Sequence, residues 1–158
     1  MPRADGAAGE VERTSLEQGP VLLFDGECGV CAASVQWVLA HESRADLRFA
    51  ALQSPAGRSL VKASGLEEGI DSLLWLEQSG DSVRVDYYAD AVQAVLRYVG
   101  GRWLVLHTLF GLVPRPVRDF GYRWFARHRR SVAAEQCLVP TPAQKARFFA
   151  QATTPGWG

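Results

Sequence analysis

The stretch that decides the fold is VLLFDGECGVCAASVQWVL, from Val21 to Leu39. Its opening VLLF is an apolar run that ends at Asp25-Gly26, which predicts a strand buried on both faces. From Cys28 onward, apolar residues recur at helical spacing and predict a helix over about residues 28–42. A Cys-x-x-Cys pair therefore lies where a buried strand ends and a helix begins.

Strands and helices alternate along the chain as far as residue 101. The pattern predicts a strand at Leu47–Phe49, a helix that begins after Ser54-Pro55 and ends by Gly65, a hairpin of Leu73–Glu77 and Val83–Tyr87, and a helix from Asp90 to Gly100. A Cys-x-x-Cys pair entering a helix in such a β-α-β frame is typical of thioredoxin-like redox domains. We therefore predict an α/β, thioredoxin-like fold with a central mixed four-stranded sheet flanked by helices.

The chain beyond residue 101 is predicted to be wholly helical. An apolar segment at 103–112 is followed by an Arg-rich amphipathic helix over about 117–130. Thr141-Pro142-Ala143-Gln144 is a capping-box sequence and predicts a last helix running to about Ala152. The resulting domain prediction is a flexible tail at 1–19, the thioredoxin-like core at 20–101, a helical C-terminal extension packed on the same domain at 102–152, and a tail at 153–158.

The composition is that of an ordinary globular protein that stays inside the cell. The chain has 158 residues, 47% of them hydrophobic, and a formal net charge of zero, which does not suggest nucleic acid as a partner. The N-terminal residues lack the apolar core of a signal peptide. The longest apolar run, Trp103–Val113, has 11 residues, whereas a membrane-spanning helix needs about 20. These features predict a cytoplasmic protein without a transmembrane segment.

The cysteine pair is best interpreted as a redox centre. Cys28 and Cys31 lie on the opening turn of a helix, face the same way and can close a disulfide. The partial positive charge at the helix N-terminus favours a thiolate on Cys28, which predicts that this residue is the nucleophile. Cys31, one turn inside on the apolar face, is predicted to be the more buried of the two and to resolve the mixed disulfide.

Two other interpretations of the pair stay open. A metal site needs about four ligands, and the remaining ligands would have to come from Cys137, His41, His107 or His128. Alternatively, the cysteines are inert structural residues. We favour the redox interpretation, which requires no metal and no cofactor other than a redox-active Cys28–Cys31 disulfide. Cys137 is by default a buried small hydrophobic residue, and a third redox role for it is less favoured.

Asp25, three residues before Cys28, admits two roles. An Asp-Gly at the end of a strand is commonly a turn residue or a cap for the amides of the following helix. A carboxylate this close could also take the proton of Cys31 when a mixed disulfide resolves. The FDGE stretch faintly resembles the Asp-x-Asp loop of haloacid-dehalogenase-like phosphatases, but its second acid is Glu27 and no later paired acidic motif follows.

The Asp25-x-x-Cys28-x-x-Cys31 pattern after an apolar strand resembles the signature of the DCC family of predicted thiol-disulfide oxidoreductases, whose fold is thioredoxin-like. The similarity extends to YYADAVQAVLRYVGGRW and to VRDFGYRWFARHRRSV with the later CLVP, and it covers about residues 21–140. It implies that Asp25, Cys28 and Cys31 are the site residues. The remaining family-pattern positions, without an assigned role, are Tyr122, Ala126, Arg129 and Cys137.

The chain departs from the expected patterns at two places. Ala89 stands where the family resemblance leads us to expect a serine before Asp90-Ala91. Thioredoxins at large place a cis-proline just before the hairpin strand, whereas the corresponding EEGIDSLLW has no proline and offers Asp71 or Ser72 in that place. Substrate recognition is therefore expected to differ from that of thioredoxin.

The predicted C-terminal helices carry a basic stripe. Arg123, Arg127 and Arg130 share one helix face, with Arg115, Arg118 and Arg129 nearby. Such a stripe is usually a solvated face, and the sharper alternatives are an acidic partner, an anionic membrane surface or the carboxylates of a glutathione-like thiol. Of the other side chains, Phe120, Trp124 and Phe125 are predicted to be core contacts against the sheet, and His107 a satisfied buried histidine.

Together these features predict a thiol-disulfide oxidoreductase that acts on a disulfide- or thiol-containing substrate, either a protein or a glutathione-like molecule. The alternative is a non-catalytic thioredoxin-like module that binds a metal through its cysteines or a partner through its basic helix.

Overall fold

The computed structural model describes residues 16–66, 69–70, 72–132 and 141–149. The elements are β1 (Val21–Phe24), α1 (Gly29–His41), β2 (Arg48–Ala51), α2 (Pro55–Ala63), β3 (Leu74–Ser79), β4 (Ser82–Tyr87), α3 (Ala89–Val99), α4 (Trp103–Leu112), α5 (Arg115–Val132) and α6 (Pro142–Lys145). The described structure thus begins within the segment predicted as an N-terminal tail, and Leu16 in that segment is buried.

The four strands form one mixed sheet in the order β2-β1-β3-β4. β1 is parallel to β2 and antiparallel to β3, and the β3–β4 hairpin is antiparallel. All four residues of β1 have 0% exposure, which explains why this strand is a continuous apolar run rather than an alternating one. The predicted α/β fold with a central mixed four-stranded sheet flanked by helices is confirmed, and it is consistent with a thioredoxin-like fold.

Helices cover both faces of the sheet because successive strand residues point to opposite sides. On one face, Leu22, Phe24, Phe49 and Trp75 pack against α1 and α3. On the other face, the buried residues include Val21, Leu23, Leu74 and, from α2, Leu60. The cysteine pair belongs to the first of these two clusters, so the packing of α1 and α3 on the sheet determines where the sulfur atoms lie.

The C-terminal segment differs from its prediction. The Thr141 capping box is present, but α6 ends at Lys145, and Phe148 then pairs in parallel with Phe49 at the edge of β2. The Phe148 ring stacks on the Phe49 ring with centroids 5.1 Å apart. The prediction of a helix through residues 146–149 is therefore wrong, because contacts with a distant strand outweigh the local helical pattern. Residues 150–152 lie outside the described part of the chain.

The aromatic residues of α5 also differ from their prediction. Phe120, Trp124 and Phe125 are 68%, 55% and 41% exposed, so the prediction that they pack against the sheet is wrong. The inward face of α5 instead carries Arg118 and Tyr122. Within the described residues, no helix combines the length and the apolar character that a bilayer-spanning segment requires.

Candidate functional site

The Cys-x-x-Cys pair lies at the junction of β1 and α1. Cys28 is the N-cap residue of α1, with extended backbone angles of φ −102° and ψ 116°. Its N–H donates to the Asp25 carbonyl over 3.2 Å, and its carbonyl accepts from the N–H of Ala32 at 3.0 Å. Cys31 is the third residue of the helix, so the two cysteines lie near each other on its first turn. Both are thiols in the structure.

The start of α1 offers a favourable electrostatic position for a negative charge. The side chain of the N-cap residue Cys28 makes no capping hydrogen bond, and the first turn of α1 contains no acidic residue. At an N-cap, the side-chain acceptor normally bonds to the amides of the first turn. A thiolate on Cys28 would take the place of that acceptor and would lie at the positive end of the helix dipole.

Burial does not separate the two cysteines. Cys28 is 4% exposed and Cys31 is 5% exposed. The prediction that Cys31 is clearly the more buried of the two is therefore wrong. The reason is local. Cys28 follows a tight turn, and it packs within the apolar cluster instead of lying at the surface. Position on the helix, rather than exposure, is what differs between the two cysteines.

Asp25 and Gln53 brace the turn that leads to Cys28. Asp25 is 2% exposed, and its Oδ1 accepts from the Glu27 N–H at 3.0 Å and from Gln53 Nε2 at 2.7 Å. Gln53 Oε1 in turn accepts from the Gly26 N–H at 3.0 Å. These bonds support the turn-forming role of Asp25, while proton transfer by it stays a prediction. Sequence reasoning missed Gln53, because it lies after β2 and no local pattern connects it to the turn.

The residue directly before β3 is part of the same buried apolar cluster as the two cysteines. Leu73 belongs to that cluster, and its N–H donates to the Tyr122 hydroxyl of α5 over 3.3 Å. Ser72 is 1% exposed, and its hydroxyl has no hydrogen-bond partner among the described residues. The described part of the chain contains no cis peptide bond. Tyr122, a family-pattern residue of unassigned role, thus binds the backbone at the residue directly before β3.

The other residues singled out in the sequence lie elsewhere or outside the described structure. The Nδ1 atoms of His41, His107 and His128 each lie within 3.1 Å of a backbone carbonyl oxygen, and His107 is half-buried rather than fully buried. Among the described residues, no three His, Cys, Asp or Glu side chains lie together as metal ligands. Ala89 is buried as the first residue of α3, which has no side-chain cap. Cys137 and the side chains of Arg129 and Arg130 lie outside the described residues.

The fold and the cysteine pair together define the class: an α/β protein with a thioredoxin-like arrangement and a Cys-x-x-Cys motif at the first strand–helix junction. The family model described as DCC1-like thiol-disulfide oxidoreductase matches residues 22–134. The chain therefore belongs to the DCC1-like thiol-disulfide oxidoreductase family, and the predicted DCC resemblance is confirmed.

Two relatives support this assignment. The chain is 37% identical over 132 residues to the uncharacterized protein YuxK of Bacillus subtilis (strain 168), which covers 82% of this chain and 93% of YuxK. It is 32% identical over 114 residues to a DCC family protein of Arabidopsis thaliana described as chloroplastic, which covers 72% of this chain and 64% of the plant protein. No solved structure is significantly similar to the chain.

Proposed function

We propose that the chain is a thiol-disulfide oxidoreductase that works through a Cys28–Cys31 dithiol/disulfide centre. One observation carries the proposal: Cys28 is the N-cap of α1, with Cys31 one turn further into the same helix. This position supports the proposal because the Cys28 sulfur lies at the positive end of the helix dipole and the second cysteine lies near it on the same turn. Membership of the DCC1-like family supports a redox function for the same two residues.

In the reducing direction, the reaction has two exchange steps. The Cys28 thiolate attacks one sulfur of a substrate disulfide, a mixed disulfide forms, and the other substrate sulfur leaves as a thiolate. Cys31 then loses its proton and attacks the Cys28 sulfur, so that the second substrate thiolate leaves and the Cys28–Cys31 disulfide forms. Two electrons pass from the pair to the substrate. The pair releases one proton when the Cys28 thiolate forms and one when Cys31 attacks, and the two substrate thiolates finally take up two protons, so that the products are two thiols and one disulfide.

We further propose that the buried Asp25 carboxylate receives the proton that Cys31 gives up in the second step. Its position in the turn directly before Cys28 supports this role. The substrate class that the family implies is a thiol or disulfide compound, either a protein or a glutathione-like molecule. A cytoplasmic location stays a prediction, and the plant relative is described as chloroplastic.

Cysteine variants in a Cys137→Ser background test the proposal. Cys28→Ser is expected to abolish dithiol-dependent reduction of a model disulfide. Cys31→Ser is expected to accumulate a mixed disulfide with that substrate, visible as a mass increase that dithiothreitol reverses. Equilibration of the parent with glutathione buffers should give a single two-electron transition confined to this pair. If both serine variants reduce the model disulfide as fast as the parent, the proposed mechanism is wrong.

A further inference from the structure

The two helices after α3 expose an unusual amount of apolar surface. We define the helical hairpin as α4 and α5, residues 103–132. Its exposed large apolar side chains, each at least 41% exposed, are Leu104, Val105, Leu106, Leu109, Leu112, Val117, Phe120, Trp124 and Phe125. Proteins that do not bind a membrane or another protein rarely expose an apolar patch of this extent.

In α4 the most exposed side chains form a stripe on the side away from the core. Val105, Leu109 and Leu112 are spaced i, i+4 and i+7 and are 62%, 54% and 76% exposed. At 100° per residue they lie opposite the half-buried Trp103 and His107. The apolar stripe of this helix therefore points outward.

In α5 the arrangement is the same, with basic side chains added. Val117, Phe120 and Trp124 lie on the side opposite Arg118 and Tyr122, which face inward. Arg123 and Arg127 are exposed beside this stripe, and neither forms an ion pair with a carboxylate of the described residues.

Polar contacts and a few aromatic ones hold the hairpin to the domain, the latter including the Trp103 ring 4.7 Å from the Trp37 ring of α1. Arg115 and Arg118 both pair with Asp90 at the start of α3, the latter at 3.6 Å. The His107 ring lies 3.1 Å from the Gln93 carbonyl oxygen. The Arg118 side chain is 7% exposed, whereas Phe120, two residues later, is 68% exposed. The hairpin thus places charged and polar groups, together with the rings of Trp103 and Tyr122, toward the domain, and its remaining large apolar side chains toward the outside.

The sequence charge is distributed asymmetrically about this hairpin. Residues 102–130 contain seven arginines and one acidic residue, Asp119. The whole chain has 17 basic and 17 acidic residues, which leaves ten basic and sixteen acidic residues for the rest. A basic, apolar surface on an otherwise acidic protein is suited to an anionic apolar phase.

We propose that the helical hairpin docks on the surface of an anionic lipid bilayer. Phe120 and Trp124, with the aliphatic side chains of α4, would enter the boundary between headgroups and acyl chains, and Arg123 and Arg127 would bind lipid phosphates. A second copy of the chain fits less well, because a two-fold interface would bring the basic stripe against its own equivalent with almost no acid to pair with. This proposal does not depend on the redox chemistry, since it uses none of the cysteines.

Vesicle co-sedimentation of the full chain tests the proposal. We expect binding to phosphatidylcholine vesicles that contain about 30% phosphatidylglycerol, and binding at least about tenfold weaker to phosphatidylcholine alone. Raising the salt from about 0.1 M to about 1 M should weaken the binding to the anionic vesicles. The Cys28→Ser variant should bind as the parent does, which separates this result from that of the proposed redox function.

Two double variants localise the contact. Phe120→Ser with Trp124→Ser, and Arg123→Gln with Arg127→Gln, should each reduce vesicle binding by about tenfold or more. All four side chains are exposed, so circular dichroism and thermal melting should match the parent. The matched control is Lys62→Gln with Lys145→Gln, two exposed lysines outside the hairpin, which should leave binding unchanged.

Three results would overturn the proposal. The first is no binding of the parent to anionic vesicles. The second is binding that both hairpin variants retain. The third is a dimer of the parent in light scattering, absent in the Phe120→Ser, Trp124→Ser variant, together with no binding of the parent to vesicles. That result would assign the apolar stripe to contact with a second copy of the chain.

Discussion

The residues at the β1–α1 junction have different structural roles. Cys28 is placed by the helix N-terminus, and the turn before it is held by the side chains of Asp25 and Gln53. The same Asp25 oxygen accepts two hydrogen bonds, so this carboxylate is a structural element whatever else it does. A test of its chemistry must therefore preserve its hydrogen bonds.

Asp25→Asn separates the structural role of Asp25 from the proposed proton transfer. An asparagine keeps an Oδ1 acceptor in the same place but does not take up a proton from a thiol. We expect the free energy of unfolding to change by less than about 1 kcal/mol, while the resolving step slows at least about tenfold, as for loss of a general base. Quenched-flow measurement of the mixed-disulfide lifetime checks the rate, and urea unfolding checks the stability.

Gln53→Ala is the control, because it removes a hydrogen-bond partner of Asp25 without placing a second carboxylate beside it, and it should resolve the mixed disulfide at close to the parent rate. If Asp25→Asn resolves the mixed disulfide at the parent rate, Asp25 is only a turn residue and the proton has another acceptor.

At the residue scale, the sequence predicts contacts between residues that are close in the chain, but not between residues that are far apart in it. Asp25, Cys28 and Cys31 lie within seven consecutive residues, so their spacing alone indicated their juxtaposition. Gln53 and Tyr122 reach the site from other elements, 28 residues from Asp25 and 49 residues from Leu73. No local pattern in a single sequence records such contacts, and the family resemblance marked Tyr122 without giving its role.

At the scale of whole elements, local periodicity predicted the strands and the first three helices but failed at the C-terminal segment. Thr141 and Gln144 form the predicted capping box, yet the helix stops after one turn. Past it, the Phe49 N–H donates to the Arg147 carbonyl and the Phe149 N–H donates to the Phe49 carbonyl, both at 3.0 Å. The segment thereby covers the outer edge of β2. Without such a cover, the unpaired N–H and C=O groups of an edge strand could pair with another chain.

Arg147 anchors this segment to the end of α1. Its guanidinium pairs with both carboxylate oxygens of Glu42 and also donates to the Leu47 carbonyl. The hydrogen bond to Glu42 is the main reason that the pKa of Arg147 is raised, against the opposing effect of burial. The Glu42 side chain is 5% exposed and that of Arg147 is 17% exposed, so this pair is shielded from solvent.

Arg147→Met is expected to lower the free energy of unfolding by about 3 kcal/mol, because it leaves the Glu42 carboxylate buried without its cation. Adding Glu42→Gln should recover part of the loss, since no uncompensated charge then stays buried. Urea unfolding measures both variants. Arg97→Met is the control, because its pair with Glu77 is largely exposed and should contribute at most about 1 kcal/mol. Equal losses for Arg147→Met and Arg97→Met would contradict the anchoring role.

Across the whole molecule, one partly buried polar cluster connects elements that are distant in the chain. The Tyr98 hydroxyl of α3 donates to Asp46 Oδ1 at 2.8 Å and accepts from the Leu47 N–H at 3.0 Å. Oε2 of Glu42, at the end of α1, lies 3.2 Å from the same hydroxyl oxygen and also accepts a hydrogen bond from Arg147. Helices α1 and α3, the start of β2 and the C-terminal segment therefore share a single hydrogen-bonded group.

The environment of this cluster shifts the ionisation of two members in opposite directions. Burial, and then the hydrogen bond to Asp46, raise the pKa of Tyr98 well above its ordinary value. Burial also acts to raise the pKa of Asp46, but the hydrogen bonds from Tyr98 and Arg44 outweigh it and hold that pKa below its ordinary value. The folded state therefore favours neutral Tyr98 beside ionised Asp46.

The raised pKa of Tyr98 predicts a loss of stability in alkali. Below about pH 10 the hydroxyl is neutral in both states, and its contribution to the free energy of unfolding is fully present. As the pH rises further, the unfolded chain ionises first, so this contribution falls by up to about 1.4 kcal/mol per pH unit until the folded state also ionises. Tyr98→Phe should remove that part of the pH dependence.

Urea unfolding of the parent and Tyr98→Phe between about pH 7 and pH 11 measures this effect. At neutral pH the variant should be less stable by about 1–2 kcal/mol, because Asp46 and the Leu47 N–H lose a buried partner. Above about pH 10 the difference between the two proteins should shrink, since only the parent loses the tyrosine contribution. Tyr87→Phe, at a ring that is 49% exposed, is the control and should run parallel to the parent throughout. A parent-minus-Tyr98→Phe difference that stays constant to about pH 11 would show that the hydroxyl ionises equally easily in the folded and unfolded chain.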